Sequence, residues 1–420
     1  MGLQWLACGA GRRPGPHAVT GTGASAPWLA RREWAERRIA DRSRAGTWAL
    51  TGFALFWNAI AWTVVPAVFR PESGAREPAR YAVLIFPVAG LFLAAAAARA
   101  VLRQLRYGAS ILELATLPGP PGRLLAGVIE TRGVIAPTAG FRVRLSCLRR
   151  RVRGSGKNRS TSEELLWQDE QVIPGASRLG GGIGIPFAIP LPADAHETDE
   201  RDAADKTVWR LTVDADVSGV DYSAGFEVPV FRTAESDTPL GPDELARLDP
   251  TAEGTPPGPA SGIGCHRTVG GLVVEFPAGR APRAAWAMVW FTLLWTAVIV
   301  VMLRLGAPVF LALIFGLFDL VLFVGIGQVF LLRTWVRAEA GDLVVASALA
   351  GVPLGERRVD GRRVTRVGPE PGFRTGTDTW WDLAMWLDDG RKVILGRTIP
   401  TRREAEWLAA ELRTTLSPAV

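Results

Sequence analysis

Four long apolar segments, arranged as two pairs, dominate the hydropathy pattern of this chain. The segments are Trp48–Phe69, Tyr81–Leu102, Ala284–Leu303 and Ala307–Leu332. Their charged residues are limited to Arg99, near the end of the second segment, and Asp319, in the middle of the fourth. A helix needs about 20 apolar residues to cross a hydrocarbon core about 30 Å thick. The pattern therefore predicts two transmembrane hairpins, over 47–103 and 284–332.

The region between the hairpins, 104–283, has the two-residue period of β-strands. In Phe141–Leu148 and Val208–Val217, apolar and polar side chains alternate, which places the apolar ones on one face. Pro186–Pro192 is predicted as an edge strand, because proline cannot donate to a central ladder. Gly180–Gly184 lacks the features of a phosphate cradle, so we expect a flexible loop there. Short strands separated by turns indicate a cytosolic β-sandwich.

The C-terminal region, 333–420, combines strands with one helix. Trp381–Leu387 alternates as a strand does, and Thr401–Glu404 has the sequence of a capping box. Apolar residues at helical spacing follow the box: Ala405, Leu408, Ala409 and Leu412. The pattern predicts a small β/α module, and the order of its elements is similar to that of pleckstrin-homology-like modules.

Ahead of the first hairpin the sequence changes character twice. Residues 1–27 are rich in Gly, Ala and Pro and have no hydrophobic period, which predicts disorder. In 28–46, Trp34 and Ile39 share one helical face among arginines. This arrangement favours an amphipathic juxtamembrane helix that lies on anionic lipid. The alternative is a solvated basic extension of the first membrane helix.

Arginine is distributed unequally between the two sides of the predicted hairpins. With the N-terminus inside, thirteen arginines flank the helices on the inner side and four lie outside. The inner set is Arg31, Arg32, Arg37, Arg38, Arg42, Arg44, Arg99, Arg103, Arg106, Arg280, Arg283, Arg333 and Arg337, and the outer set is Arg70, Arg76, Arg80 and Arg304. Cytoplasmic flanks carry an excess of basic residues. We therefore predict a bacterial inner membrane protein with both termini and the large loop in the cytoplasm.

Composition limits the chemistry that this chain can perform. Its 420 residues are 48% hydrophobic, so much of the chain must be soluble. Three cysteines and three histidines are widely spaced, apart from the adjacent Cys265 and His266. This spacing provides neither a disulfide framework nor a second pair of metal ligands. We expect no metal and no cofactor.

The densest positive charge lies in Arg142–Arg159, which holds eight basic residues and no acid. Its candidate lipid-facing residues are Arg149, Arg150, Arg151 and Arg153. Such a run suits anionic lipid headgroups, and the alternative is a solvated hairpin tip. No aromatic residues interleave the run, which argues against nucleic acid as a partner. The expected partners are the lipid bilayer, anionic headgroups and a protein whose identity the sequence does not give.

Two polar side chains near the middle of the bilayer, Asn58 and Asp319, form the candidate intramembrane site. A carboxylate at that depth costs about 3 kcal/mol on insertion scales. Asp319 should therefore face another helix, be protonated, or both, and Gly316, one turn earlier, offers a small residue for close approach. Asn58 is the predicted partner, and the alternatives are Thr63, Thr292 and Thr296.

Several local sequences occur together in a fixed order along the chain. They are Glu33–Ile39, Phe56–Ile60, Leu165–Gln168, Ile185–Asp194, Gly219–Tyr222 and Phe226–Val230. Together they resemble bacterial multi-pass proteins of domain-of-unknown-function family 3592, over residues 30–415. The resemblance implies a membrane protein with cytosolic β domains, and it carries over no catalytic residues.

The sequence contains no nucleophile and base in a catalytic arrangement, so we do not predict an enzyme. Acids such as Asp214, Asp216 and Asp221 have the spacing of strand and turn residues. The favoured interpretation is a non-enzymatic, membrane-anchored binding or scaffold protein. The alternative is a component of a membrane transporter or channel, which Asn58 and Asp319 would serve.

The predicted orientation is testable with enzyme fusions. Alkaline phosphatase fused after Leu240 should be inactive, because its disulfides do not form in the reducing cytoplasm. A fusion after Pro71, in the predicted outer loop, is the matched control and should be active. High activity of the Leu240 fusion would reverse the orientation.

Overall fold

The structure is a computed structural model of the chain. It describes residues 26–69, 84–133, 135–154, 159–179, 182–249, 254–280, 283–304, 306, 308–339, 341–376 and 378–416. The predicted disorder over 1–27 falls almost entirely outside these residues. Only its last two positions are described, and Pro27 begins a short 3₁₀ helix, Pro27–Ala30.

The described chain alternates between strands and two pairs of long helices. Its helices are α1 (Arg32–Ala35), α2 (Ser43–Phe69), α3 (Ile85–Tyr107), α4 (Pro242–Leu248), α5 (Arg283–Arg304), α6 (Val309–Leu331) and α7 (Arg402–Leu416). Further 3₁₀ helices are Ala234–Asp237, Pro259–Ser261 and Gly361–Arg363. The first nine strands are β1 (Arg38–Ala40), β2 (Ile111–Leu114), β3 (Leu124–Thr131), β4 (Phe141–Arg153), β5 (Ser160–Ile173), β6 (Ser177–Leu179), β7 (Gly182–Pro190), β8 (Asp205–Ala215) and β9 (Tyr222–Val228). The other strands are β10 (Gly264–Thr268), β11 (Gly271–Phe276), β12 (Leu332–Glu339), β13 (Asp342–Leu349), β14 (Val352–Asp360), β15 (Val364–Thr375), β16 (Asp378–Leu387) and β17 (Lys392–Ile399).

The four helices α2, α3, α5 and α6 are long and apolar enough to cross a membrane. They pair as two hairpins, α2 with α3 and α5 with α6. In hydrocarbon every backbone N–H and C=O must be satisfied internally, and a continuous helix achieves this. The predicted membrane segments are therefore confirmed as helices of membrane-compatible length and composition.

The first nine strands form what we call the first β unit, with two antiparallel sheets. Their orders are β1-β2-β3-β7-β6 and β5-β4-β8-β9. Alternate residues point inward, as in β3 and β9, and one hydrophobic core takes side chains from both sheets. The largest buried side chains include Trp209 and Phe141. The alternation read from the sequence thus marks real strands.

The first hairpin is inserted between two neighbouring strands of the first β unit. Strand β1 precedes α2, β2 follows α3, and the two strands pair antiparallel, with Arg38 opposite Glu113. Two strands joined by hydrogen bonds lie on the same side of a bilayer. A hairpin that crosses the bilayer between them must therefore return to the side that it left.

The segment ahead of the first hairpin differs from the predicted amphipathic helix over 28–46. It consists of a 3₁₀ turn, the single turn α1 and strand β1, and its apolar side chains enter the protein core. Trp34 and Ile39 are fully buried, and the Trp34 indole N–H donates to the Glu227 carbonyl oxygen at 3.0 Å. The two side chains are thus buried together, but they pack against protein, so the predicted contact with lipid is wrong.

The remaining strands and α7 form the second β unit, whose sheet orders are β10-β11-β12-β13-β14 and β15-β16-β17. Here β11 precedes the second hairpin, β12 follows it, and the two pair antiparallel, with Val273 opposite Arg337. Residues Gly264–Phe276 fall within the predicted central domain, 104–283. The pairing instead places this segment in the same sheet as strands from 333–420.

Helix α7 confirms the helical pattern predicted after Thr401. Its four predicted inward residues, Ala405, Leu408, Ala409 and Leu412, are all buried. The Thr401 hydroxyl accepts a hydrogen bond from the Glu404 N–H at 3.2 Å, as an N-cap residue does. The helix closes a core that both sheets of the second β unit share.

Strand β7 lies between β3 and β6, and not at the edge of its sheet as predicted. However, β6 pairs only with Gly182–Gly184, so Pro186 and Pro190 lie beyond that pairing, where no donor is required. Part of the predicted flexible loop Gly180–Gly184 is therefore strand. At Gly182 a Cβ would lie 1.7 Å from the Thr131 carbonyl oxygen, so only glycine fits there.

An ionic cluster joins the two β units. From α7, the Arg403 guanidinium makes bidentate hydrogen bonds to Asp169 on β5 and to Asp249, at distances from 2.6 to 3.0 Å. Burial opposes the charge on Arg403, but both carboxylates favour it and together raise its pKa. The buried Arg144 similarly binds Glu170 at 3.0 Å and Asp378 at 3.1 Å.

Replacing Arg403 by Met should destabilise the junction. The substitution leaves the carboxylates of Asp169 and Asp249 largely buried without their cation, which costs about 3 kcal/mol or more. Thermal unfolding of the purified full chain measures the change. Arg391→Met removes an exposed arginine paired with Asp389 and should leave the midpoint unchanged. Equal midpoints for both variants would contradict the structural role of Arg403.

Candidate functional site

The candidate intramembrane residues Asn58 and Asp319 lie in different hairpins and have different partners. On α2, the Asn58 side-chain amide donates to the carbonyl oxygens of Ala54 and Gly90, each at 2.8 Å. Gly90 belongs to α3, so this amide links the helices of the first hairpin. A Cβ at Gly90 would lie 2.5 Å from the Asn58 amide oxygen, so glycine is required for this approach.

On α6, Asp319 is buried against α5. The hydroxyl oxygen of Thr296 lies 2.7 Å from Asp319 Oδ2 and 2.9 Å from the Thr292 carbonyl oxygen. Thr292 itself is fully buried. The carboxyl group of Asp319 and these two threonines thus form one polar chain across the second hairpin.

The Thr296 hydroxyl lies between two acceptors. A hydroxyl has a single proton to donate. Thr296 can therefore donate to Asp319 Oδ2 in the other helix or to the Thr292 carbonyl oxygen in its own helix. The other carboxyl oxygen, Oδ1, is buried and makes no hydrogen bond with any residue that the structure describes.

Packing around Asp319 comes from aromatic rings. Trp295 on α5 makes edge contacts with Phe315 and Phe318 on α6, with ring centroids 5.4 and 5.5 Å apart. Its indole N–H also donates to the Phe315 carbonyl oxygen at 3.4 Å. These contacts fix the register of the two helices and hold Thr296 opposite Asp319.

The partner predicted for Asp319 was Asn58, and the observed partner is Thr296, one of the stated alternatives. Gly316 provides no close approach, because no neighbouring atom lies within 4 Å of a Cβ built there. The glycine in close contact is instead Gly90, which no local pattern indicated. Its position opposite Asn58 depends on the pairing of two helices, which local sequence does not encode.

The four candidate lipid-facing arginines lie on strand β4, and three of them have carboxylate partners on neighbouring strands. Arg149 binds Asp205 at 2.6 Å, Arg150 binds Glu163 at 2.8 Å, and Arg151 binds Glu164 at 3.2 Å. Hydrogen bonds from Arg149 lower the pKa of Asp205. Arg153, at the end of the strand, is exposed. Most of the positive charge of this run is thus balanced within the sheet.

The two β units contain few reactive groups among the residues that the structure describes. These contain no group of three or more His, Cys, Asp or Glu side chains placed to hold a metal ion. Burial raises the pKa of the Cys147 thiol to about 12, so it is inert at neutral pH. Burial also raises the pKa of Cys265.

Comparisons with known proteins were made with the whole chain. No family model matches it, and no curated protein matches it. Among solved structures it is similar to the crystal structure of Spo0M, a sporulation control protein from Bacillus subtilis, at 14% sequence identity. The match covers 60% of this chain and 88% of that chain, with a TM-score of 0.21. At this score the likeness supports no conclusion, whereas the four membrane-compatible helices support a multi-pass membrane protein.

Two substitutions separate the hydrogen-bonding role of Asp319 from a role that requires an ionisable group. Asp319→Asn keeps a hydrogen-bonding group beside Thr296, so the second hairpin should retain its stability. Asp319→Leu removes the bond between the helices and should destabilise the protein by about 1 kcal/mol, the usual size of such a bond in a membrane. Unfolding of the purified protein in mild detergent measures both effects.

Two threonine variants provide the control for this measurement. Thr296→Val removes the partner of Asp319 and should resemble Asp319→Leu. The Thr63 hydroxyl donates within its own helix, to the Ile60 carbonyl, so Thr63→Val should have no effect. If Asp319→Asn destabilises as much as Asp319→Leu, the hydrogen-bonding role is wrong.

Proposed function

We propose that this chain is a non-enzymatic binding or scaffold protein of the bacterial inner membrane, with both termini and the large loop in the cytoplasm. One observation carries the proposal: each membrane hairpin connects two paired strands of one sheet. A unit attached in this way cannot swing on a flexible linker. The hairpins thus act as two anchors that hold the soluble units at a fixed distance from the bilayer.

The proposal treats the first β unit as a β-sandwich and the second as a pleckstrin-homology-like module. In each unit a single core lies between two sheets, and α7 closes the second. Both kinds of module commonly act as binding platforms. Membership in domain-of-unknown-function family 3592 is part of the same proposal and rests on the sequence resemblance described above.

A cleft at the junction of the two units is the proposed surface for a protein partner. It has a volume of about 720 Å³ and is lined by residues of β5, β7 and the start of α7. Two large apolar side chains on its wall, Val172 and Leu248, are more than half exposed. Clefts between domains with exposed apolar groups are frequent binding sites.

A component of a transporter or channel is the second candidate, because Asp319 is an ionisable group inside a membrane hairpin. Ionisable residues at this depth often belong to ion or proton pathways. In this chain the polar groups that accompany Asp319 are Thr292 and Thr296, which lie between two helices of one hairpin. A local hydrogen-bonding role explains them without a pathway.

A cross-linked pull-down from native membranes tests the binding proposal. The wild-type protein should retain a discrete partner in stoichiometric amount, and Val172→Arg should lose it, because the charge disrupts the apolar wall of the cleft. Val269→Arg, at an exposed apolar position in the β10–β11 turn outside the cleft, should keep the partner.

A flux measurement on the purified protein tests the transport alternative. Proteoliposomes with a pH-sensitive dye inside should show no proton flux above empty vesicles. Flux that disappears in Asp319→Asn, together with no partner in the pull-down, would contradict the proposed function and favour transport.

A further inference from the structure

A second cavity lies where the last membrane helix meets the second β unit. It has a volume of about 680 Å³, within the usual range for small-molecule sites. One wall is the final part of α6, with Phe323, Val324 and Gly327. Strands β13, β14 and β17 form the opposite wall, which is largely apolar: Val345, Leu349, Leu354, Ile394 and Leu395.

The cavity lies at the end of a membrane-compatible helix. Helix α6 is apolar enough to span a membrane over Val309–Leu331, and β12 begins at the next residue. The turn between β13 and β14 lies at the same level, because the Ala350 N–H donates to the Leu331 carbonyl oxygen at 3.1 Å. Val352 and Leu354, which follow this turn, are more than half exposed. Exposed apolar residues at this level suit contact with lipid.

Polar and basic groups also line the cavity, at the last turn of α6 and on β17. Gln328 and Arg397 are among its lining residues, and Arg397 is exposed and forms no ion pair with a described residue. Beside it, the Arg280 guanidinium donates to the Arg397 carbonyl oxygen at 2.9 Å. The adjacent Gly279 N–H donates to the Phe330 carbonyl oxygen, which places Arg280 at the last turn of α6.

Arg280 has no carboxylate within ion-pair distance in the described part of the chain. Its guanidinium is surrounded by the carbonyl oxygens of Pro277, Arg397 and Thr398. Burial lowers the pKa of Arg280 to about 10. An anion beside Arg280 would therefore favour its charged form.

We propose that this cavity binds one anionic phospholipid of the adjacent leaflet, with an acyl chain against α6 and the strands and the headgroup beside Arg397. The membrane helix supplies one wall, so a lipid tail can enter sideways from the hydrocarbon. A soluble peptide would have to cross the headgroup layer to reach the same wall. The site does not depend on the junction cleft or on a protein partner.

Photo-cross-linking in nanodiscs tests the site directly. The full chain is reconstituted with phosphatidylglycerol or phosphatidylcholine that carries a diazirine near the end of one acyl chain. The readout is labelling of Val393–Arg397 by mass spectrometry, because this strand segment is not part of a membrane helix. With the wild type, labelling should be about fivefold stronger for phosphatidylglycerol, the effect of about one basic residue near an anionic headgroup.

Two glycines of α6 provide a matched pair of variants. Gly327 lines the cavity and Gly325 does not, and a Cβ at either position meets no atom within 4 Å. Both positions therefore accept a larger side chain without a clash at Cβ. Gly327→Leu should fill the cavity and reduce labelling of the strand to background, whereas Gly325→Leu should leave it unchanged. Equal labelling in the two variants would overturn the cavity as the binding site.

The charge requirement has its own pair of variants. Arg397→Gln should reduce the preference for phosphatidylglycerol to near equality with phosphatidylcholine. Arg362→Gln is the control and should keep the preference. Arg362 is exposed and lies at the end of the second β unit that is remote from the membrane, where the Gly361 N–H donates to the Gly341 carbonyl oxygen. Wild-type labelling that is equal for both lipids would overturn the anionic ligand.

Discussion

The antiparallel pairing of strands across each membrane hairpin is the constraint on which the rest of the structure depends. A polypeptide in hydrocarbon must satisfy its backbone hydrogen bonds within one segment, so the hairpins are helical. At the bilayer surface this requirement ends, and the chain changes to strand at once, as between Leu331 and Leu332. Because β1 pairs with β2 and β11 with β12, each sheet is completed only when its hairpin has returned. Membrane insertion and folding of the soluble units are therefore coupled.

Buried polar groups are satisfied differently in the two environments. At the junction of the two β units, Arg403 makes bidentate ion pairs with two carboxylates, which compensates for their removal from water. In the hairpins the polar contacts include an amide, an indole, hydroxyl groups and a carboxyl group, each within reach of a backbone carbonyl or a threonine. Lipid offers no water to an unpaired group, so short local bonds such as Asn58 to Gly90 are favoured there.

Local patterns in the sequence predicted the elements well and their long-range partners poorly. The membrane helices and the inward face of α7 follow from residue periods within a single segment, and these are present in the structure. The burial of Trp34 in the first core, the pairing of β11 with β12 and the carboxylates beside Arg149 depend on residues far away in the chain. A run of basic residues also looks unbalanced when only one strand of a sheet is considered. The same limit explains why Thr296 could be named only as an alternative partner of Asp319.

Cysteine cross-linking in native membranes tests the central claim, that each hairpin is closed by its own strand pair. Facing residues on paired strands have Cβ atoms about 5 Å apart, within reach of a short thiol-specific reagent. In a chain without native cysteines, Arg38→Cys with Glu113→Cys and Val273→Cys with Arg337→Cys should each cross-link within one molecule. The mixed pairs, Arg38→Cys with Arg337→Cys and Glu113→Cys with Val273→Cys, should not. Cross-linking of the mixed pairs, or none of the matched pairs, would contradict the closed hairpins.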